Sequence, residues 1–129
     1  MIRNYEEFVR SFEDCDIDAS DFGHIDHIGV AYAMLRRYDF LDASIKYSNC
    51  INTIATKAGA AQKFNTTITL AFLSLIAERM QRAHHETFDD FIAQNQDLLS
   101  GNVLARWYSP ERLKSDLART VFLMPDAAA

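Results

Sequence analysis

Apolar residues recur along most of the chain at three- and four-residue intervals, a spacing that predicts helices rather than strands. Asn4 followed by Glu7 reads as an N-cap with its reciprocal partner, and Tyr5, Phe8 and Phe12 follow at helical spacing, predicting a first helix over about 5–14. The stretch from Cys15 to Asp21 is rich in Asp and Ser, whose side chains satisfy backbone donors outside helices, so it reads as a linker within the domain. With Asp21 or Ser20 as cap, Ile28, Ala31, Leu35 and Tyr38 predict a second helix over about 23–38, and Arg36 and Arg37 suit its C-terminal dipole. A third, over about 41–58, carries Tyr47, Ile51, Ile54 and Ala58 on one stripe and stops at Gly59.

The segment over about 64–83 differs, because Ile68 and the run from Leu70 to Ile76 leave it almost no polar face in its middle. It is expected to be the central helix, buried on several sides. Thr87 with Asp90 opens a shorter helix through about Leu98, Gly101 marks a break, and Asn102 to Tyr108 offers a further turn or two. Ser109, Pro110 and Glu111 supply a cap, a first-position proline and an acid for one more short helix. The run from Val121 to Pro125 is too short to stand alone and should pack as an extended tail over 121–129. The expectation is an all-α fold, one domain over 1–129, a compact bundle of five to seven helices around the 64–83 helix.

Composition sharpens this picture. Among 129 residues there are only 4 Gly and 2 Pro, too few for the many turns of a sandwich or barrel, while 49% apolar and 12% aromatic residues provide core material. Thirteen basic against 18 acidic residues leave a net charge of -5, with no basic run longer than Arg36-Arg37, so no nucleic-acid partner is expected. The longest apolar stretch, Leu70 to Ala77, is interrupted by Ser74 and far too short to span a bilayer; no membrane partner and a cytoplasmic location are expected, with the Asn65-Thr66-Thr67 sequon unmodified. Cys15 and Cys50 lack CxxC spacing and nearby cations, and are read as a pair of reduced thiols.

The chemistry centres on His24 and His27. At about 100° per residue, with His24 at zero, Ile28 falls near +40°, Leu35 near +20° and His27 near -60°, so both imidazoles sit on or beside the apolar stripe, while Asp26 at about 200° faces away. Imidazoles there are neutral and either hydrogen-bonded or ligating, and neutral imidazole is the metal ligand. The plainer alternative is that His24 hydrogen-bonds a neighbouring loop and His27 lies at a helix edge. Two histidines supply two ligands, and a divalent metal needs at least three protein groups. Elsewhere, His84 and His85 complement a helix C-terminus, the hydroxyls of Thr67, Thr69 and Ser74 bond backward along their helix or line a pocket, and Arg106, Trp107 and Tyr108 combine a cation with two amphipathic aromatics.

Three stretches, FGHIDHIGVAYAMLRRYDF, KFNTTITLAFLSLIAERM and LARWYSPERLKSDLARTVFLMPD, together resemble a family of small uncharacterised bacterial all-helical proteins. That family shows an F-x-H-x-x-H helix, a Y-H-E-T-I-T segment opening a second long helix and a closing Y-S-x-E-x-L…F-x-x-P-D; the resemblance covers Phe22 to Asp126. It implies a site where H-x-x-H meets H-E, without implying an activity. Here Asn65 and Thr66 stand where His and Glu would be, which weakens a metal and marks a degenerate member. The combined expectation is a pocket at the N-terminal ends of helices two and four, taking a small molecule or a divalent metal. His24 and His27 are its candidate metal ligands or general base; Asn65, Thr66 and Thr69 are its hydrogen-bonding groups, and Arg106 or Tyr108 closes it. The alternative is a non-catalytic helical interaction module or homodimer, drawing on 9 Phe, 5 Tyr and 1 Trp.

Overall fold

The computed structural model describes residues 3–127, and all regular structure among them is helical. The chain forms α1 (Tyr5–Glu13), α2 (His24–Arg37), α3 (Phe40–Lys57), α4 (Thr66–Arg82), α5 (Phe88–Gln94), α6 (Pro110–Leu113) and α7 (Asp116–Thr120). Short 3-10 turns over Ala19–Asp21, Ala61–Lys63, Gln96–Leu99 and Val103–Arg106 join them. Helices α1, α3 and α4 each start where a side chain takes up free N–H groups. Asn4 accepts from Glu6 and Glu7 at 3.0 and 3.3 Å, Asp39 from Asp42 at 2.8 Å, and Asn65 from Ile68 at 2.9 Å. For α2 the expected cap, Asp21 or Ser20, is not used. Those residues belong to the preceding 3-10 turn, Gly23 begins the helix, and the Asp26 carboxylate reaches back to the Gly23 N–H at 2.9 Å.

Two further expectations need correction. The segment after Thr87 does not run as one helix to Leu98: Asn95 is buried, donates from its amide to Phe91 O at 2.8 Å and accepts from Arg79 at 3.1 Å, and the chain tightens there into a 3-10 turn. Cys15 and Cys50 are not two reduced thiols but are joined as a disulfide, with Cα atoms 5.1 Å apart, tying the end of α1 to α3. Cys15 reaches it with φ at 55°.

The core is built around α2. From Ile28 to Met34 every residue of it is buried, with α1, α3, α4 and the turn at Gln96–Leu99 packed about it. Its closest approach is to α1, where the Tyr5 ring lies over Gly29 so tightly that a Cβ would stand 2.2 Å from it. The expected central helix, α4, is less deeply buried than α2: only Thr67, Leu73 and Ile76 are fully enclosed, and Ile68 and Ser74 are exposed. It nonetheless contacts α2, α3, α7 and the turn at Val103–Arg106, which accounts for apolar residues all around it. A second cluster, Val103, Leu104 and Tyr108, joins the main core through Phe72 and Leu75 of α4. From Val121 to residue 127 the chain forms no helix or strand and is clasped by α4, the Thr67 hydroxyl donating to Val121 O at 2.7 Å and accepting from the Leu123 N–H at 3.1 Å; the last two positions of the 121–129 tail lie outside the described residues. No helix among the described residues is long and apolar enough to cross a membrane.

Candidate functional site

The first turns of α2 and α4 open onto one cavity of about 490 Å³, closed on its other sides by α3, the segment over 100–105 and α6. That volume lies in the usual range of small-molecule sites, roughly 300–1,000 Å³. Phe64, Ile68, Phe72, Ile51, Leu104 and Leu113 make the wall mostly apolar. Of the residues singled out from the sequence, His24, His27, Asn65, Thr69 and Tyr108 line it. Thr66 and Arg106 do not. The Thr66 hydroxyl donates to Arg119 O at 2.9 Å, and exposed Arg106 lies over the Trp107 ring with its guanidinium 3.8 Å from Asp97.

Lining the cavity is not the same as facing it with a usable group. Asn65 has both ends of its amide engaged, the oxygen as the α4 cap and the nitrogen donating to Leu113 O at 2.7 Å. The Tyr108 hydroxyl donates to Leu123 O at 2.8 Å, so only its ring is left to the cavity. His24 faces a carbonyl, which only accepts, so its Nε2–H donates to Leu98 O at 2.9 Å and pins the 96–99 turn to α2. This is the plainer of the two roles expected for it.

His27 and Thr69 differ from all of these. Among the described residues no protein group hydrogen-bonds the His27 ring, which is half-buried and tilted against Phe22 with centroids 4.3 Å apart. Burial, reinforced by neighbouring His24 and opposed by Asp26, pushes its pKa down to about 4, so it is neutral near pH 7. At that value it is a weak general base, since efficient proton transfer needs a pKa nearer the working pH. The Thr69 hydroxyl also lacks a hydrogen-bond partner among the described residues. Tyr47 completes this side; its hydroxyl, held protonated by burial, donates to His27 O at 3.3 Å.

The residues present do not fit a divalent metal. Among the described residues no three His, Cys, Asp or Glu side chains gather at one point, and no carboxylate lines this cavity. With Asn65 engaged and Thr66 turned toward α7, the positions expected to complete a ligand set are occupied with holding the chain together. His85, expected only to complement a helix end, instead donates from Nε2 to Met80 O at 3.1 Å and accepts the Tyr32 hydroxyl at Nδ1, 2.6 Å away. The sequence reading missed Lys63 and Lys114, which also line the cavity; neither lies in a recognisable motif, and only the folding of α6 against the entry to α4 brings them to one place. Compared with known proteins, the chain matches no family model, no curated protein and no solved structure.

Proposed function

We propose that the protein binds a small, largely apolar molecule in this cavity, with His27 and Thr69 supplying the hydrogen bonds that orient it. The observation that carries this reading is a mostly apolar cavity of small-molecule size onto which His27 and Thr69 open without protein hydrogen-bond partners. Both groups remain open to solvent within the cavity, and a ligand that displaces water there can take up their hydrogen bonds. Binding is favoured over catalysis because no carboxylate orients His27 and its low pKa leaves it a poor base near neutral pH.

The test is titration with the neutral fluorophore N-phenyl-1-naphthylamine, whose emission rises in apolar surroundings. Wild type is expected to give saturable binding at one site, and Thr69→Phe, which fills the cavity from α4, to abolish it while thermal unfolding stays cooperative. Absence of saturable binding, or equal binding by Thr69→Phe, overturns the reading.

A second reading, an interaction module or homodimer, rests on a different observation. Leu41 and Ile45, four residues apart on α3, are 73% and 62% exposed, and Met124 on the tail is 68% exposed. Sedimentation equilibrium giving a monomer mass at all concentrations would remove the homodimer.

A further inference from the structure

The charges around the cavity are one-sided. Lys63 and Lys114 both stand on its wall, and no Asp or Glu does, although the chain carries 18 acidic residues against 13 basic ones. Both lysines are exposed, and neither forms a salt bridge among the described residues. Among the other exposed cations, Arg37 and Arg106 each lie 3.8 Å from a carboxylate, of Glu13 and Asp97, while Arg10, Arg36 and Lys57 form no salt bridge among the described residues.

The backbone adds charge of the same sign. α2 and α4, of 14 and 17 residues, both present first-turn residues to the cavity, and a helix N-terminus carries roughly half a positive charge. The acidic residue that offsets the α2 dipole, Asp26, lies away from the cavity, bonded to Tyr5 and Gly23, and α4 has no acidic residue in its first turn. A mostly apolar chamber is thus edged by two exposed lysines and by the α4 N-terminus, which repel a cationic ligand and favour an anionic one.

We propose that the ligand is an amphipathic monocarboxylate, with an aliphatic or aromatic body against Phe64, Ile68 and Phe72 and a carboxylate taken up by Lys63 and Lys114. This assignment rests on the cavity being a ligand site and adds the chemical class of the ligand. His27 and Thr69, less exposed than the lysines, serve a polar substituent of the body. The lysines contribute as exposed charges, so their effect is modest and sensitive to salt, with apolar burial supplying most of the affinity.

The probes are decanoate and 1-decanol, of equal chain length and different head, each used below its micellar or solubility limit to displace N-phenyl-1-naphthylamine from the intact chain. Decanoate is expected to displace the dye at about tenfold lower concentration than decanol, two exposed charge contacts contributing a few-fold each. In Lys63→Gln/Lys114→Gln that preference should vanish with decanol unaffected, whereas Lys63→Arg/Lys114→Arg should retain it. In 0.5 M sodium chloride the preference should shrink in wild type. Equal displacement by the two probes in wild type, or an undiminished preference in the glutamine variant, overturns the carboxylate assignment and leaves the cavity reading standing. Failure of the dye to bind wild type overturns both. Circular dichroism of each variant shows whether it is folded, and the arginine variant with the salt series tests the assignment should the glutamine variant be unfolded.

Discussion

Asp26 and His27 are neighbours in sequence, both in the first turn of α2, and the molecule treats them in opposite ways. Asp26 points into the α1 contact and is saturated: it accepts the Tyr5 hydroxyl at 2.7 Å and the Gly23 N–H at 2.9 Å, and Arg3 stands 3.3 Å away. His27 points into the cavity and receives nothing from the protein. The α1–α2 side engages the Tyr5 hydroxyl and the Gly23 N–H with Asp26 and packs a glycine under a tyrosine, an arrangement that serves stability. The α2–α4 side leaves His27 and Thr69 without protein partners and leaves space, which suits a ligand.

The strongest way to break this contrast is at Gly29. A methyl group there meets the Tyr5 ring, which is pinned by Asp26 and packed against Phe88 with centroids 5.0 Å apart, so the ring has little freedom to retreat. Gly29→Ala is expected to lower the unfolding free energy by about 3 kcal/mol, the upper end of overpacking effects, read from urea unfolding. A loss below about 0.5 kcal/mol would show that the contact is loose.

Next is pH. His27 has a folded pKa of about 4 against an ordinary value of 6.5, so between those values the unfolded chain binds the extra proton. Its contribution is therefore fully present above about pH 6.5 and lost as the pH falls toward 4. On going from pH 7.5 to 4.5, wild type should lose about 2 kcal/mol more than His27→Gln, measured by urea unfolding of both proteins at both pH values. Parallel losses in the two proteins would mean that the ring is solvated.

The smallest effects separate two threonines two residues apart on α4. Thr67→Val removes the clasp on Val121 and Leu123 inside the structure and should cost about 2 kcal/mol. Thr69→Val removes a hydroxyl with no protein partner and should change stability by less than about 0.5 kcal/mol, while weakening any ligand that uses that hydroxyl. Equal costs at the two positions would place Thr69 in the scaffold and out of the site.

Local signals carried much of the fold. Asn4, Thr87 and Ser109 were legible as caps because a side-chain oxygen meets free N–H groups within three residues, an interaction complete inside a short stretch of chain; Asp39 and Asn65 cap α3 and α4 in the same way, though neither is an expected cap. The same local logic failed at Asn95, whose amide is held by Arg79 from another helix, and at Cys15 and Cys50, brought together across 35 positions by α1 packing near α3. The apolar belt of α4 was visible, but its reason was not: the belt packs against α2, α3, α7 and the turn at Val103–Arg106 and also lines the cavity.

For the candidate site the division is similar. The 3.6-residue period alone determined that His24 and His27 share a face of α2 opposite Asp26, since azimuth on a helix follows from residue number. Which of those side chains keeps an unengaged polar group was decided by tertiary structure. Leu98 takes the His24 proton, Leu113 takes the Asn65 amide, Leu123 takes the Tyr108 hydroxyl and Arg119 takes that of Thr66, all from segments more than a dozen residues away. Hydrogen-bond satisfaction is a property of the assembled interior, because each donor is engaged or left free by whichever carbonyl the folding of distant segments brings beside it.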